Sequence, residues 1–291
     1  MADRWNTGAS IKIDTIPKEL IGEAIESWAE GSKPLKDLLW KCYESGITTY
    51  GSHYGHGSYI DFEGTEHVEQ LKRMLKHVGD INCLQILCLE EPINPQALIS
   101  GITPCVGIGV LQQNTESGDE LFSKLIKGFG EKIPEKGCFG TILDFYKFFE
   151  GKETGLGFRL RHSKESGYEF TIESHEKKHN IEYCENLFTK AGLTRKTINP
   201  DYPVIEWEIQ SHDKKEFDEM MARAFEYVSR EWNLDTPTEI ADDMGFMMKL
   251  RIMYRKLAGT PEGRQKLYNW ARDNAPESYR RIYGKSGPEK E

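Results

Sequence analysis

The chain has 291 residues, of which 38% are hydrophobic and 29% charged, with a net charge of −9. That length and apolar content suffice for one large or two ordinary packed domains, and interspersed charges argue against wholesale disorder. No apolar run approaches the ~20 residues of a membrane span, and the N-terminal residues lack a secretion signal pattern, so we expect a cytoplasmic protein without membrane contact.

The N-terminal part, residues 1–113, has the pattern of an α+β unit. A helix capped by Ser32 and ended by Gly46 lies between an earlier helix and a short strand. The element order α-β-β-α-β resembles a split βαβ arrangement. The predicted elements are helices at 18–30, 33–45 and 65–78 and strands at 47–50, 58–63, 81–89 and 106–111.

Residues 114–154 read as a helical connector in two pieces, interrupted around residues 134–137. A second α+β unit follows at 155–233, and its element order partly repeats that of the first, so an internal duplication is one interpretation. Its predicted elements are strands at 158–162, 168–174 and 204–210 and helices at 180–191 and 214–232. The predicted fold is therefore α+β, with two split-βαβ-like units and a helical C-terminal segment at 234–291.

Six cysteines are widely spaced, contain no C-x-x-C pair and mostly have apolar neighbours. This pattern predicts reduced, buried thiols in a cytoplasm rather than a disulfide framework or a zinc finger. The six are Cys42, Cys83, Cys88, Cys105, Cys138 and Cys184.

The C-terminal segment is basic although the chain is acidic. Residues 245–291 contain 11 Lys+Arg and 5 Asp+Glu, a local charge of +6, which leaves −15 for the other residues. Cationic and aromatic side chains together suit a phosphate backbone with stacked bases, or an acidic protein surface. The predicted binding residues are Arg251, Arg255, Lys256, Arg264, Trp270, Arg272, Arg280 and Arg281. Alternatively, an apolar stripe including Met244, Phe246 and Leu250 docks this segment on the acidic body of the same chain.

The glycine-rich loop around Ser52, His53 and His56 has the densest set of reactive side chains. Neutral imidazole is a common metal ligand and the usual acid/base group near neutral pH, so His53 and His56 are candidate metal ligands. Serine, glycine and histidine are also ordinary loop residues, and two histidines do not complete a metal site.

This loop resembles a module of uncharacterised bacterial and phage-borne proteins with the pattern G-I-x-T-x-x-C-C-x-G-H. Gly46, Ile47, Thr49, Gly55 and His56 match that pattern, and the strand Ser-Tyr-Ile-Asp-Phe at 58–62 follows it. Ser52 and His53 stand where the module has paired cysteines, which argues against a thiol-based role here. The resemblance covers residues 32–78 and implies a bacterial or mobile-element origin.

Two classes of function follow. The first is a binding or regulatory protein of bacterial or phage origin that acts by contact with a protein or a nucleic-acid-processing complex, inhibition being one form of such contact. It requires no cofactor. The alternative is a metal-assisted hydrolase or phosphoesterase in which Ser52, His53 and His56 are catalytic and a divalent metal is bound.

Overall fold

The computed structural model of the protein describes part of the chain. The described residues are 16, 18–54, 57–63, 67–89, 107–112, 118–132, 137–150, 152, 154, 156–174, 178–196, 205–234, 266 and 269.

The described residues form seven α-helices and eight strands, which confirms the α+β prediction. After a 3₁₀ turn at Lys18–Leu20, the helices are α1 (Ile21–Trp28), α2 (Lys33–Glu44), α3 (Val68–Leu75), α4 (Asp119–Lys127), α5 (Cys138–Phe149), α6 (Lys178–Lys190) and α7 (Lys214–Glu231). The strands are β1 (Thr49–His53), β2 (Ser58–Glu63), β3 (Leu84–Leu89), β4 (Gly107–Gln112), β5 (Leu156–Ser163), β6 (Gly167–Ser174), β7 (Thr194–Lys196) and β8 (Ile205–Ser211).

Helix α2 shows how local sequence sets these bounds. The Ser32 hydroxyl accepts a hydrogen bond from the Leu35 amide (3.1 Å), which satisfies one of the amides that a helix N-terminus leaves unpaired. Gly46, just beyond the last turn, has φ +70°, a conformation that glycine adopts at little cost. Both predicted ends of this helix are confirmed.

All eight strands belong to one antiparallel sheet with the order β1-β2-β4-β3-β5-β6-β8-β7. β4 pairs antiparallel with both β2 and β3, so β2, α3 and β3 form a parallel crossover with β4 inserted between its strands. β6, α6 and β7 form the same arrangement around β8. The two split-βαβ units are thereby confirmed.

The chain divides into two halves of the same topology, α2-β1-β2-α3-β3-β4-α4 and α5-β5-β6-α6-β7-β8-α7. In the first half α2 packs on α4 and α3 on α4. The equivalent pairs, α5 on α7 and α6 on α7, pack in the second half. The two helices of the predicted connector thus belong to different halves. β3 and β5 pair along five positions and join the halves into one sheet.

All the described helices cover the same face of the sheet. In the second half the Phe145 ring of α5 lies 5.7 Å from Phe158 of β5 and 5.0 Å from Phe170 of β6. In the first half the Ser52 hydroxyl of β1 reaches the Trp28 carbonyl of α1. One continuous apolar core lies between the helices and this face. None of the helices in the described ranges is long and apolar enough to cross a membrane.

Candidate functional site

Ser52 and His53 are neighbours in β1, but their side chains lie on opposite faces of the sheet. Ser52 is paired with the buried Ile60, and its hydroxyl donates a hydrogen bond to the Trp28 carbonyl (3.4 Å) on the helix side of the sheet. His53 is paired with the exposed Tyr59, and their rings lie 6.0 Å apart. Successive side chains of a strand point to opposite faces, so the hydroxyl and the imidazole are not brought together.

Glu30, in the turn between α1 and α2, ties this loop to the helical layer. Its carboxylate accepts a hydrogen bond from the Tyr54 amide (2.7 Å) and lies 2.8 Å from His53 Nδ1. His56 lies outside the described residues. Within the described ranges no three His, Cys, Asp or Glu side chains are grouped to hold a metal ion. The metal-ligand and catalytic roles of His53 and His56 stay predictions.

The predicted binding residues of the C-terminal segment also fall outside the described residues. These are Arg251, Arg255, Lys256, Arg264, Trp270, Arg272, Arg280 and Arg281. Their role in binding stays a prediction.

A cleft of about 540 Å³ lies where the two halves meet, and we call it the junction cleft. The first half contributes side chains from α4 and from the segment that follows α3, and the second half contributes β5, β6 and the start of α7. The cleft is lined by Lys76, His77, Gly79, Asp80, Lys124, Lys127, His162, Tyr168 and Lys214. Four of the nine lining residues are lysines and one is acidic, so the lining is cationic.

The β5–β6 hairpin places two rings in the junction cleft. Gly167, at φ +73°, permits the tight turn that puts His162 opposite Tyr168, and the two rings stack with centroids 4.2 Å apart. The Tyr168 hydroxyl donates to the Gly79 carbonyl (3.3 Å), and His162 Nδ1 lies 3.0 Å from the Ile81 carbonyl oxygen. Because a carbonyl only accepts, the proton of the neutral imidazole is on Nδ1 and Nε2 remains for a ligand.

Lys124 of α4 is held in the junction cleft by two carboxylates. Its ammonium lies 2.6 Å from Asp80 and 2.9 Å from Glu120. Burial alone would lower the pKa of Lys124, but these two hydrogen bonds outweigh it and raise that pKa. The hydrogen bond from Lys124 lowers the pKa of Asp80. Both groups are therefore charged at neutral pH.

Lys214 enters the junction cleft from the other half. It pairs with Asp218 at 2.6 Å, and this contact raises the pKa of Lys214 against the opposing effect of burial. Lys76 lies 2.8 Å from Glu131. Lys127, by contrast, is exposed and makes no ion pair with any residue of the described ranges. The cleft thus presents four cations, three of them oriented by carboxylates at its rim.

The junction cleft has the chemistry of an anion site rather than that of a nucleophile. Burial raises the pKa of the Tyr168 phenol, which therefore stays protonated and can donate a hydrogen bond. Burial likewise raises the pKa of the nearby Cys138 thiol, so its thiolate is disfavoured. Lysine ammonium groups, each with three N–H donors, suit a ligand with several oxygen acceptors.

Sequence reasoning missed this site. His77 and His162 are isolated in the sequence, and the four lysines occur on three helices or their ends, where lysine is an ordinary solvent-exposed residue. The pairing of β3 with β5, together with the packing of α3 on α5, brings the two sets together. No local motif signals that pairing.

The comparisons with known proteins add no assignment. No protein-family model matches the chain. No curated protein and no solved structure matches it.

Proposed function

We propose that the protein acts by binding, and that the junction cleft holds a phosphate of a nucleic acid strand. The observation that carries this proposal is the convergence of Lys76, Lys124, Lys127 and Lys214, from both halves, on one cavity. A binding role of this kind agrees with contact to a nucleic-acid-processing complex.

The cations of the cleft match a phosphate in charge and in hydrogen bonding. Lysine binds phosphate as a point charge with three donors, and each such contact is stronger where water is partly excluded. The raised pKa values of Lys124 and Lys214 keep both ammonium groups charged near neutral pH. The Tyr168 hydroxyl beside them donates its proton to the Gly79 carbonyl, so the lysines are the donors to the phosphate.

The acidic side chains around the lysines confine phosphate binding to the junction cleft. Asp80, Glu120, Glu131 and Asp218 hold three of the lysines, and the whole chain carries −9. A polyanion is therefore repelled by the net charge of −15 on residues 1–244 and attracted by the lysines of the cleft. The affinity should fall steeply with added salt, because exposed charges are screened beyond ~10 Å at 0.1 M.

A reducing cytoplasm is the location that we propose. The thiols of Cys42, Cys88 and Cys138 are buried and form no disulfide, as expected for a protein that never meets an oxidising compartment. The bacterial or mobile-element origin comes with the resemblance of the loop at residues 46–56.

Binding of a labelled single-stranded oligonucleotide, followed by fluorescence anisotropy at two salt concentrations, tests the proposal. We expect Lys124→Gln with Lys127→Gln to weaken binding about tenfold or more, since two phosphate contacts are lost. A matched control is Lys215→Gln with Arg223→Gln, two exposed cations of α7 outside the cleft. Equal affinity of the parent, the cleft variant and the control variant would refute the proposal.

A further inference from the structure

The sheet face opposite the helices, here called the open face, carries no described element. Its strands present Gln85, Leu87 and Leu111 near the centre, and Arg159, Glu173 and Glu206 near the β5–β8 end. Strands such as β3, with apolar residues on both faces, are typical of sheets covered on both sides.

The exposure of these side chains is lower than an uncovered sheet face predicts. Thr171, on the same face as Arg159, is 0% exposed and Gln85 is 6% exposed. The side chains of Arg159 and Glu173 are 15% and 16% exposed. Charged side chains on a bare surface are mostly solvated, so these residues indicate that a covering segment lies on the open face.

The charges of the open face favour a basic occupant. Arg159 forms ion pairs with Glu173 and with Glu206 (3.3 Å), so one guanidinium faces two carboxylates. Lys196 similarly faces Glu208 at 2.9 Å and Glu169 at 3.4 Å.

The pKa of Glu173 also reflects the excess of acidic side chains on the open face. Burial, together with the neighbouring Glu206, raises its pKa in spite of Arg159. A further cation at this place would stabilise both carboxylates.

The described chain after α7 ends on the helix side of the sheet, near the strand ends at which Glu173 lies on the open face. The Trp232 ring contacts Phe149 (4.7 Å) and the Asn233 amide donates to the Tyr183 hydroxyl (2.9 Å). Phe149 in turn stacks on Phe158, near the start of β5. Glu173 lies opposite Gly157 at that same end of the sheet.

The sequence beyond this point supplies a fitting segment within reach. Residues 235–244, if extended, span about 35 Å, which is comparable with the width of an eight-stranded sheet at ~4.8 Å per strand. Residues 245–258 then contain four Lys+Arg and no Asp or Glu, together with Phe246, Leu250 and Met253. This composition offers apolar side chains to the centre of the open face and cations to its acidic end.

We propose that residues 245–258 of the same chain occupy the open face. Their apolar side chains pack over Leu87 and Leu111, and Arg251 and Arg255 pair with Glu173 and Glu206. The basic segment is therefore an internal cover of the sheet, separate from the junction cleft, and its cations are neutralised by the protein itself.

Cleavage of the folded full-length chain at a specific-protease sequence inserted within 235–244 tests this proposal. We expect the C-terminal fragment to stay bound to the body at low salt and to dissociate as salt is raised. Glu173→Gln with Glu206→Gln should weaken its retention about tenfold. Glu219→Gln with Glu226→Gln, two exposed carboxylates of α7, should leave retention unchanged.

A variant of the proposed partner residues controls for the possibility that the open-face variant acts only by disturbing folding. Arg251→Gln with Arg255→Gln should weaken retention by a similar factor, and combining it with the open-face variant should add little further loss. Release of the fragment from the parent at low salt would overturn the proposal, as would fully additive losses. A dimer in light scattering that the open-face variant dissociates would assign the face to a second copy and would equally overturn it.

Discussion

The two halves have one topology but use it in different surroundings. The first half has a largely aliphatic strand layer, with Ile60, Ile86 and Ile108 against the helices, whereas the second half uses Phe158, Phe170 and Trp207. The shared strand order therefore rests on the alternation of buried and exposed positions and not on particular residues.

The clearest difference concerns the first strand of each half. β1 is at the edge of the sheet, has five residues and contains a register irregularity between Thr49 and Gly51. Its counterpart β5 has eight residues and pairs on both sides, with β3 and β6. The same element is a short, irregular edge in one half and the seam of the whole sheet in the other. Irregular edge strands also resist pairing with other chains.

The largest effect should come from the seam strand. Phe158→Ala removes a fully buried ring that contacts Phe145, Phe149 and Phe170, and we expect it to lower the free energy of unfolding by about 3–5 kcal/mol. Ser52→Ala in β1, the edge counterpart, removes a long hydrogen bond and should lower it by under ~1 kcal/mol. Urea denaturation measures both changes. Equal losses of unfolding free energy would mean that the edge strand and the seam strand contribute equally to stability.

The contact between α3 and α4 offers a second comparison. Gly128 lies so close to α3 that an added Cβ would overlap the Arg73 carbonyl and come within 2.6 Å of the Met74 Cα. We expect Gly128→Ala to lower the free energy of unfolding by about 1–3 kcal/mol through overpacking. Gly140→Ala in α5 meets only the Lys72 side chain at 3.9 Å and should instead stabilise the protein by ~0.5–1 kcal/mol. Thermal unfolding of both variants gives the sign, and a destabilised Gly140→Ala would contradict this account.

Much of the fold was predictable because its signals are local. Periodic apolar residues gave the helices, and both split-βαβ units followed from element order. Two errors have a physical cause. β7 was missed because Thr194–Lys196 has no apolar alternation and is held only by pairing with β8. β1 was predicted at 47–50 but runs to His53, because pairing with β2 overrides the weak strand preference of Gly51 and Ser52.

The junction cleft was not predictable from the sequence. Helical periodicity shows that Lys124 and Lys214 avoid the core, but it does not show which other helix they approach. Their meeting depends on the β3–β5 pairing, a contact between strands more than sixty residues apart. The sequence drew attention to Ser52, His53 and His56 instead, because reactive residue types clustered there are visible without knowledge of the fold.

The halves also differ in how they cap equivalent helices. In the first half Ser32 caps α2 and donates its hydroxyl proton to Asp119 of α4 (2.7 Å). In the second half Gly137 has no side chain to cap α5, and Asp218 of α7 accepts directly from the Cys138 amide (2.8 Å). Both halves thus have a hydrogen bond between equivalent helices, but the donor is a serine hydroxyl in the first half and a backbone amide in the second.

Asp218→Asn should therefore lower the free energy of unfolding by about 1 kcal/mol at neutral pH. Burial would raise the pKa of Asp218, but the hydrogen bonds from Lys214 and the Cys138 amide outweigh it and hold that pKa below its ordinary value of 3.8. Its stabilising effect is thus complete above pH ~4 and is lost as the pH falls through the lowered pKa, so parent and variant should converge in acid. Denaturation between pH 7 and pH 3 tests this, with exposed Asp37→Asn as the control. A loss that is independent of pH would contradict the assignment.

The smallest effect should come from the turn that anchors the β1–β2 hairpin. The turn of the β5–β6 hairpin contains a hydrogen bond of its own, from the Ser166 amide to the Ser163 hydroxyl (2.9 Å), whereas the Tyr54 amide after β1 donates to Glu30 of the helical layer. Glu30→Ala removes the acceptor of the Tyr54 amide at an exposed site, so we expect under ~1 kcal/mol of global destabilisation.

The local consequence of Glu30→Ala should exceed the global one. Hydrogen exchange at the Tyr54 amide should accelerate about fivefold, because exchange there reports local opening. Amides of the β5–β6 hairpin should be unaffected and provide the internal control, and Glu30→Gln, which keeps an acceptor, should lie between parent and alanine variant. Unchanged exchange at Tyr54 would mean that the first hairpin holds its shape without Glu30. The loop of His53 would then be independent of the helices.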